Sequence, residues 1–271
     1  MEDVNYNMEE IISIVPAILL ALTHVSLHAI ELKIHKKDGW HWLSLLSGIA
    51  ASYVFLVLIP DLETYKILLN STTTIDTDID SKFYAILMLF GFTFFYSLES
   101  WVKHHRSRKT AAADTSTLND YSVTVTQLLP CESVKIFMVH ILAYSIYDFV
   151  ITFLLPNKLK TFGEADMWFY YFAMQAHFVL DDMNLHEHFG KRYDNYGRIP
   201  LLCAVVAGFT TSYLIETVPA ITAGIAAFIA GGTIVNILKE ELPAESRASV
   251  PLFLVGMITY GLLIYFLYYK K

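Results

Sequence analysis

Apolar residues run along the chain in eight blocks, near 11–32, 42–60, 83–102, 134–155, 167–188, 199–216, 219–238 and 250–269. Each is close to the twenty or so residues that cross a bilayer as a helix. The pattern predicts an all-α polytopic membrane protein with eight transmembrane helices. The fifth block is interrupted: "HFVLDDMNLHEH", residues 177–188, carries three histidines and three carboxylates. Projected at about 100° per residue, His177, Asp181, Asn184 and His188 share one face, and Asp182 and His186 form an adjacent line. Val179, Leu180 and Met183 take the far side. Ionisable groups in a membrane helix cost about 2.5–3.5 kcal/mol each, so such a stripe faces partners or water rather than lipid.

Three other blocks carry polar stripes. The fourth offers His140, Tyr144, Tyr147 and Asp148, and the seventh offers Thr233, Asn236 and Glu240. The first has His24 and His28, followed by Glu31 and His35 at the expected cytosolic surface. Imidazoles with carboxylates form the ligand set of zinc and similar divalent ions. The two cysteines, Cys131 and Cys203, give neither a disulfide framework nor zinc-ligand spacing. The bland alternative is that the stripes pair with one another and hold helices together, but interhelical hydrogen bonds average only about 0.6 kcal/mol. A lone histidine such as His140 fits that alternative as well as a site.

Composition agrees with the membrane reading: 55% hydrophobic, 14% aromatic and 17% charged, against about a quarter charged in soluble domains. Charge distribution gives an orientation. Loops 33–41, 103–133, 189–198 and 239–249 hold twelve Lys and Arg, and the opposite set holds six. The positive-inside bias therefore places both termini outside the cytosol, in the cell membrane by default. The expected organisation is an extracytosolic start (1–10), helices 1–3 (11–102), a mobile cytosolic linker (103–133), helices 4–5 with the site (134–188) and helices 6–8 (189–271). The lipid bilayer is the one partner this pattern demands, and nothing suggests nucleic acid. No GxxxxGK[ST] phosphate loop occurs, so nucleotide energy is not expected.

The residues resemble the ZIP family of divalent metal transporters. "LSGIAASYVFLVLIPDLE" is similar to that family's second helix, "LMLFGFTFFYSLESWVKHH" to its third, with Glu99, and "AGGTIVNILKEELPAE" to its seventh. The resemblance implies a 3+2+3 bundle, with helices 1–3 and 6–8 as inverted halves around helices 4 and 5. Gly48 and Pro60 are twelve apart, as are Gly231 and Pro243, the faint echo such a repeat would leave. It also implies a site between helices 4 and 5, and makes a homodimer plausible.

Carried over residue by residue, "YSIYDF" puts Tyr144 where the family has histidine, keeps Ser145 and Asp148, and puts Phe149 in place of glycine. "HFVLDD" keeps His177, sets Asp181 and Asp182 for the second His and Glu, and puts Phe178 for the first Glu. Tyrosine is a poor zinc ligand at neutral pH, and Phe149 could plug a path. The expected metal set is His177, Asp181, Asp182, Asp148, Ser145, Tyr144, Glu240, His140, Asn184 and His188. Its oxygen-rich character suits manganese or iron(II) as well as zinc. The first reading is thus a ZIP-like transporter, not an enzyme and without an organic cofactor. The second is a non-transporting relative that senses metal or protons or assists assembly. The third is an intramembrane metal hydrolase.

Overall fold

The computed structural model describes residues 11–26, 41–72, 81–116, 123–215, 218–241 and 249–269, and among these there is helix and no strand. Helix α1 is Ile11–Ser26. Helix α2 runs His41–Tyr53, continues through a π-helical stretch Val54–Leu58, and ends as Ile59–Thr72. Then come α3 (Ser81–Ser116), α4 (Val123–Phe162) and α5 (Glu164–Phe189). Helix α6 is a π-helical stretch Tyr193–Gly197 followed by Arg198–Leu214. Helix α7 is Pro219–Glu241, and α8 is Val250–Ile264 with a final π-helical stretch Tyr265–Tyr269.

Five of these helices, α2, α4, α6, α7 and α8, are long and apolar enough to cross a membrane; α1 and the Lys82–Leu98 part of α3 are apolar but shorter. Their outer faces carry Ile86, Leu89 and Phe90 on α3, Leu142 and Ile146 on α4, and Ile258 and Leu262 on α8, all exposed. A soluble protein does not display so much continuous apolar surface. It is the outside of an integral membrane protein.

The helices overrun the apolar blocks. The expected mobile linker 103–133 is helical at 103–116 and 123–133, and 117–122 lie outside the described residues. Residues 103–116 contain three alanines and no Gly or Pro, so helix propensity carries α3 onward after hydrophobicity has stopped. Two π-helical stretches precede prolines, Pro60 and Pro200. Proline lacks the N–H that closes an ordinary turn, and upstream bonds slip to the next spacing. Ile59 N–H accordingly reaches back to the Val54 carbonyl.

The broadest packings are α2 on α8, α3 on α7 and α4 on α6. Helices α2 and α8 rise together, with Ser44 beside Ser249, Ser52 beside Met257 and Leu56 beside Gly261. At their crossing a Cβ on Gly48 would lie 2.2 Å from the Phe253 carbonyl oxygen, and one on Gly256 would lie 2.2 Å from that of Leu45. The α3–α7 crossing repeats this arrangement. A Cβ on Gly231 would lie 1.9 Å from Met88 O, and one on Gly91 would lie 2.1 Å from Phe228 O. In all four cases the obstructing carbonyl sits three residues before the partner's glycine.

Helix α5 threads the middle, against α4 and α2. It also reaches α1 through Gln175 to Thr23 and α8 through the Tyr260 phenol, which donates to Phe169 O. Its ends are turned by Gly163 (φ 95°) and Gly190 (φ 54°), positions that side chains disfavour. With one residue between α4 and α5, the register of their polar faces is fixed.

Candidate functional site

The α5 stripe divides between two partner groups. His177 and Asp181 turn toward α7: Asn236 Nδ2 donates to Asp181 Oδ1 at 2.9 Å and lies 3.4 Å from His177 Nε2. His177 Nε2 is 3.2 Å from Asp181 Oδ2, as the i, i+4 spacing allows. The Tyr147 ring of α4 covers His177 at 5.2 Å, and its phenol donates to Thr233, whose own hydroxyl donates to Ile229 O. All of these residues are buried.

Asp182, on the adjacent line, turns the other way and meets α1. His24 Nδ1 donates to Asp182 Oδ1 at 2.8 Å, and its Nε2 faces Asp148 Oδ2 of α4 at 3.5 Å. The Tyr193 phenol also donates to Asp182 Oδ1. Arg198 stands 3.7 Å from Asp182 Oδ2, donates to the His24 carbonyl at 2.9 Å, and donates to Asp194 at 2.9 Å. His24 Nε2, Asp148 Oδ2 and Asp182 Oδ2 make no hydrogen bond although all three are buried. Asp148, Asp181 and Asp182 are close enough to repel one another. His24 therefore bridges two carboxylates that belong to different helices.

Local structure delivers Tyr193 and Arg198 to this place. Gly190 reverses the chain after α5, and the π-helical stretch starts α6 with Tyr193 and Gly197 inward. The Arg198 guanidinium lies 4.9 Å over the Tyr193 ring, so both point at α5. Asp194 completes the turn by accepting from His186 Nδ1 at 3.0 Å at the partly exposed edge.

The other expected ligands have separate surroundings where the structure describes them. Tyr144 is buried in an apolar cluster with Phe137, Ile141, Leu185, Tyr193 and Leu201. His140 lies beside Tyr144 and Phe189, with Nδ1 3.3 Å from Ile136 O of its own helix. His188 Nδ1 donates to Asn184 O one turn back, at 2.7 Å. Ser145 is half-buried, and its hydroxyl makes no hydrogen bond. The Phe149 ring stacks along Phe153, and its carbonyl abuts Gly208 of α6. The side chains of Glu240 and Glu99 lie outside the described residues. On the far face of α5, Leu180 and Met183 pack on Leu43 of α2, as the periodicity requires.

Among the described residues no group of three or more His, Cys, Asp or Glu is arranged to hold a metal ion. The site residues absent from the expected metal set are Arg198, Tyr193 and His24, the last read from sequence only as part of the first helix's polar stripe. A second buried ionic group, Lys158 with Asp61 and Asp166, was not anticipated either. No family model, curated protein or solved structure matches this chain.

Proposed function

We propose that the protein carries divalent cations across a membrane, through the polar core between α1, α4, α5 and α7, on a plan resembling the ZIP family. One observation carries the reading. Among the described residues five aspartates are buried (Asp61, Asp148, Asp166, Asp181 and Asp182), against two buried fixed cations, Lys158 and Arg198. Isolated carboxylates do not stay charged in such surroundings, so mobile cations or protons make up the difference.

His24 Nε2 and Asp148 Oδ2 are the entry to an ion's coordination. Two ligands of a tetrahedral ion with bonds of 2.0–2.1 Å sit about 3.3 Å apart, close to the 3.5 Å between these atoms. Asp182 holds the other imidazole nitrogen, the usual way a carboxylate orients a metal-binding histidine. Asp181, His177 and Asn236 supply further oxygen and nitrogen on the α7 side of α5. The mixed set fits zinc, manganese or iron(II). The paired glycine crossings, one rising and one descending, support an inverted repeat in which α2 corresponds to α7 and α3 to α8. Eight spans with both termini outside the cytosol follow from the same plan and from the basic loops.

Arg198 favours a second reading, a non-transporting sensor or assembly partner, because it already compensates Asp182. Thermal melts of purified protein with zinc, manganese or iron(II) separate the two. A carrier is protected by at least one ion, and His24→Ala or Asp148→Ala removes the protection. A wild-type melt that no ion moves contradicts the carrier reading.

A further inference from the structure

Helix α4 carries Lys158 about 15 Å beyond Asp148, at 1.5 Å per residue. It lies at the Gly163 end of the bundle, outside the cytosol on the orientation proposed above. Lys158 is fully buried. Its ammonium donates to Asp61 of α2 and lies 3.8 Å from Asp166 Oδ2 of α5. Three rings surround it: Phe162 at 4.6 Å, and Tyr65 and Tyr170 at 5.9 Å each. Carboxylates and aromatic faces together are how proteins recognise ammonium groups.

The cage holds more polar atoms than one lysine uses. The phenols of Tyr53 and Tyr65 are buried without hydrogen-bond partners, and both lie within electrostatic reach of Asp61 and Asp166. The Tyr170 phenol is satisfied by Ile151 O at 2.8 Å and takes no part. A buried pair retained only to hold helices together is poorly explained, since apolar residues of similar size serve as well or better.

We infer that Asp61, Asp166, Tyr53, Tyr65 and the surrounding rings form a binding site for a compact ammonium-like cation, with the ammonium of Lys158 as its tethered occupant. While Lys158 is in place, the site is closed to free cations. Shortening or neutralising that side chain opens it to one that fits.

The test is a thermal melt of the full-length purified protein in N-methylglucamine chloride, with methylammonium chloride as the probe. Lys158→Met leaves two carboxylates uncompensated and melts below wild type. Tens of millimolar methylammonium should recover at least about half of that loss, while wild type does not respond. Asp61→Asn with Asp166→Asn removes the attraction and should abolish any response. If Lys158→Met does not fold, Lys158→Met with Asp61→Asn removes the pair as a unit. The remaining Asp166 and phenols should still give a shift of about 2 °C. No shift in any folded Lys158→Met background overturns the site. The readout uses neither a divalent ion nor transport, so it stands or falls apart from the carrier reading.

Discussion

Arg198→Met tests whether the α1–α5–α6 junction works as one charged unit. The substitution preserves apolar bulk and removes a buried guanidinium that donates to His24 O and Asp194 and faces Asp182 at 3.7 Å. The lost charge-assisted bond to His24 O alone is worth about 1.5–3 kcal/mol. Leaving Asp182 without its fixed cation is the larger effect, since breaking a buried ion pair from one side costs about 3–5 kcal/mol. The two overlap, and His24 can take up a proton to help Asp182, so about 3–5 kcal/mol is expected in all. At about 2–4 °C per kcal/mol for a chain of this size, the melt in detergent should fall by about 6–20 °C. Asp182→Asn in the same chain removes the orphaned charge, so the double variant should be more stable than the sum of the single losses by about 2 kcal/mol. The assay is a double-mutant cycle on purified protein. Strictly additive losses, or a fall below about 2 °C for Arg198→Met, would refute the coupling.

The glycine crossings predict a contrast within one helix: Gly231→Ala, whose Cβ would meet backbone at 1.9 Å, should cost about 1–3 kcal/mol in a melt. Gly224→Ala, which meets only the Leu87 side chain at 3.2 Å, should be nearly neutral. Orientation is read by labelling intact cells with an impermeant thiol reagent after replacing Cys131 and Cys203 by serine. Ile75→Cys should react and Thr115→Cys should not, and the reverse pattern would invert the topology.

Periodicity made much of the architecture readable. The apolar blocks located the helices because length and hydropathy are local properties, and the 100° projection correctly opposed Leu180 and Met183 to Asp181. It did not reveal that Asp182, one step around the wheel, would make the contact to α1. That depends on where α1 packs. His24 was visible as part of the first helix's polar stripe with His28, but nothing local marked it as the bridge between Asp148 and Asp182. Arg198 was counted as a cation of loop 189–198, ahead of the apolar block at 199–216, whereas the π-helical stretch makes it the start of α6. Lys158 fell past the expected end of the fourth span, and its partner Asp61 is 97 residues away. Tyr144 was placed at the site by likeness to a family pattern, but in this bundle its position faces an apolar cluster.

Cation transport is measured by ion uptake into proteoliposomes, with zinc, manganese and iron(II) supplied to wild type, Asp148→Asn and Leu180→Ala. Asp148→Asn keeps the shape but loses the charge that faces His24 Nε2, whereas Leu180 lies on the opposite face of α5 against α2. Wild type should take up at least one ion, Leu180→Ala should do so at a rate within about threefold of wild type, and Asp148→Asn should lose at least about tenfold, equivalent to about 1.4 kcal/mol. Wild-type vesicles that take up none of the three ions, or an Asp148→Asn variant as active as wild type, would contradict the carrier reading.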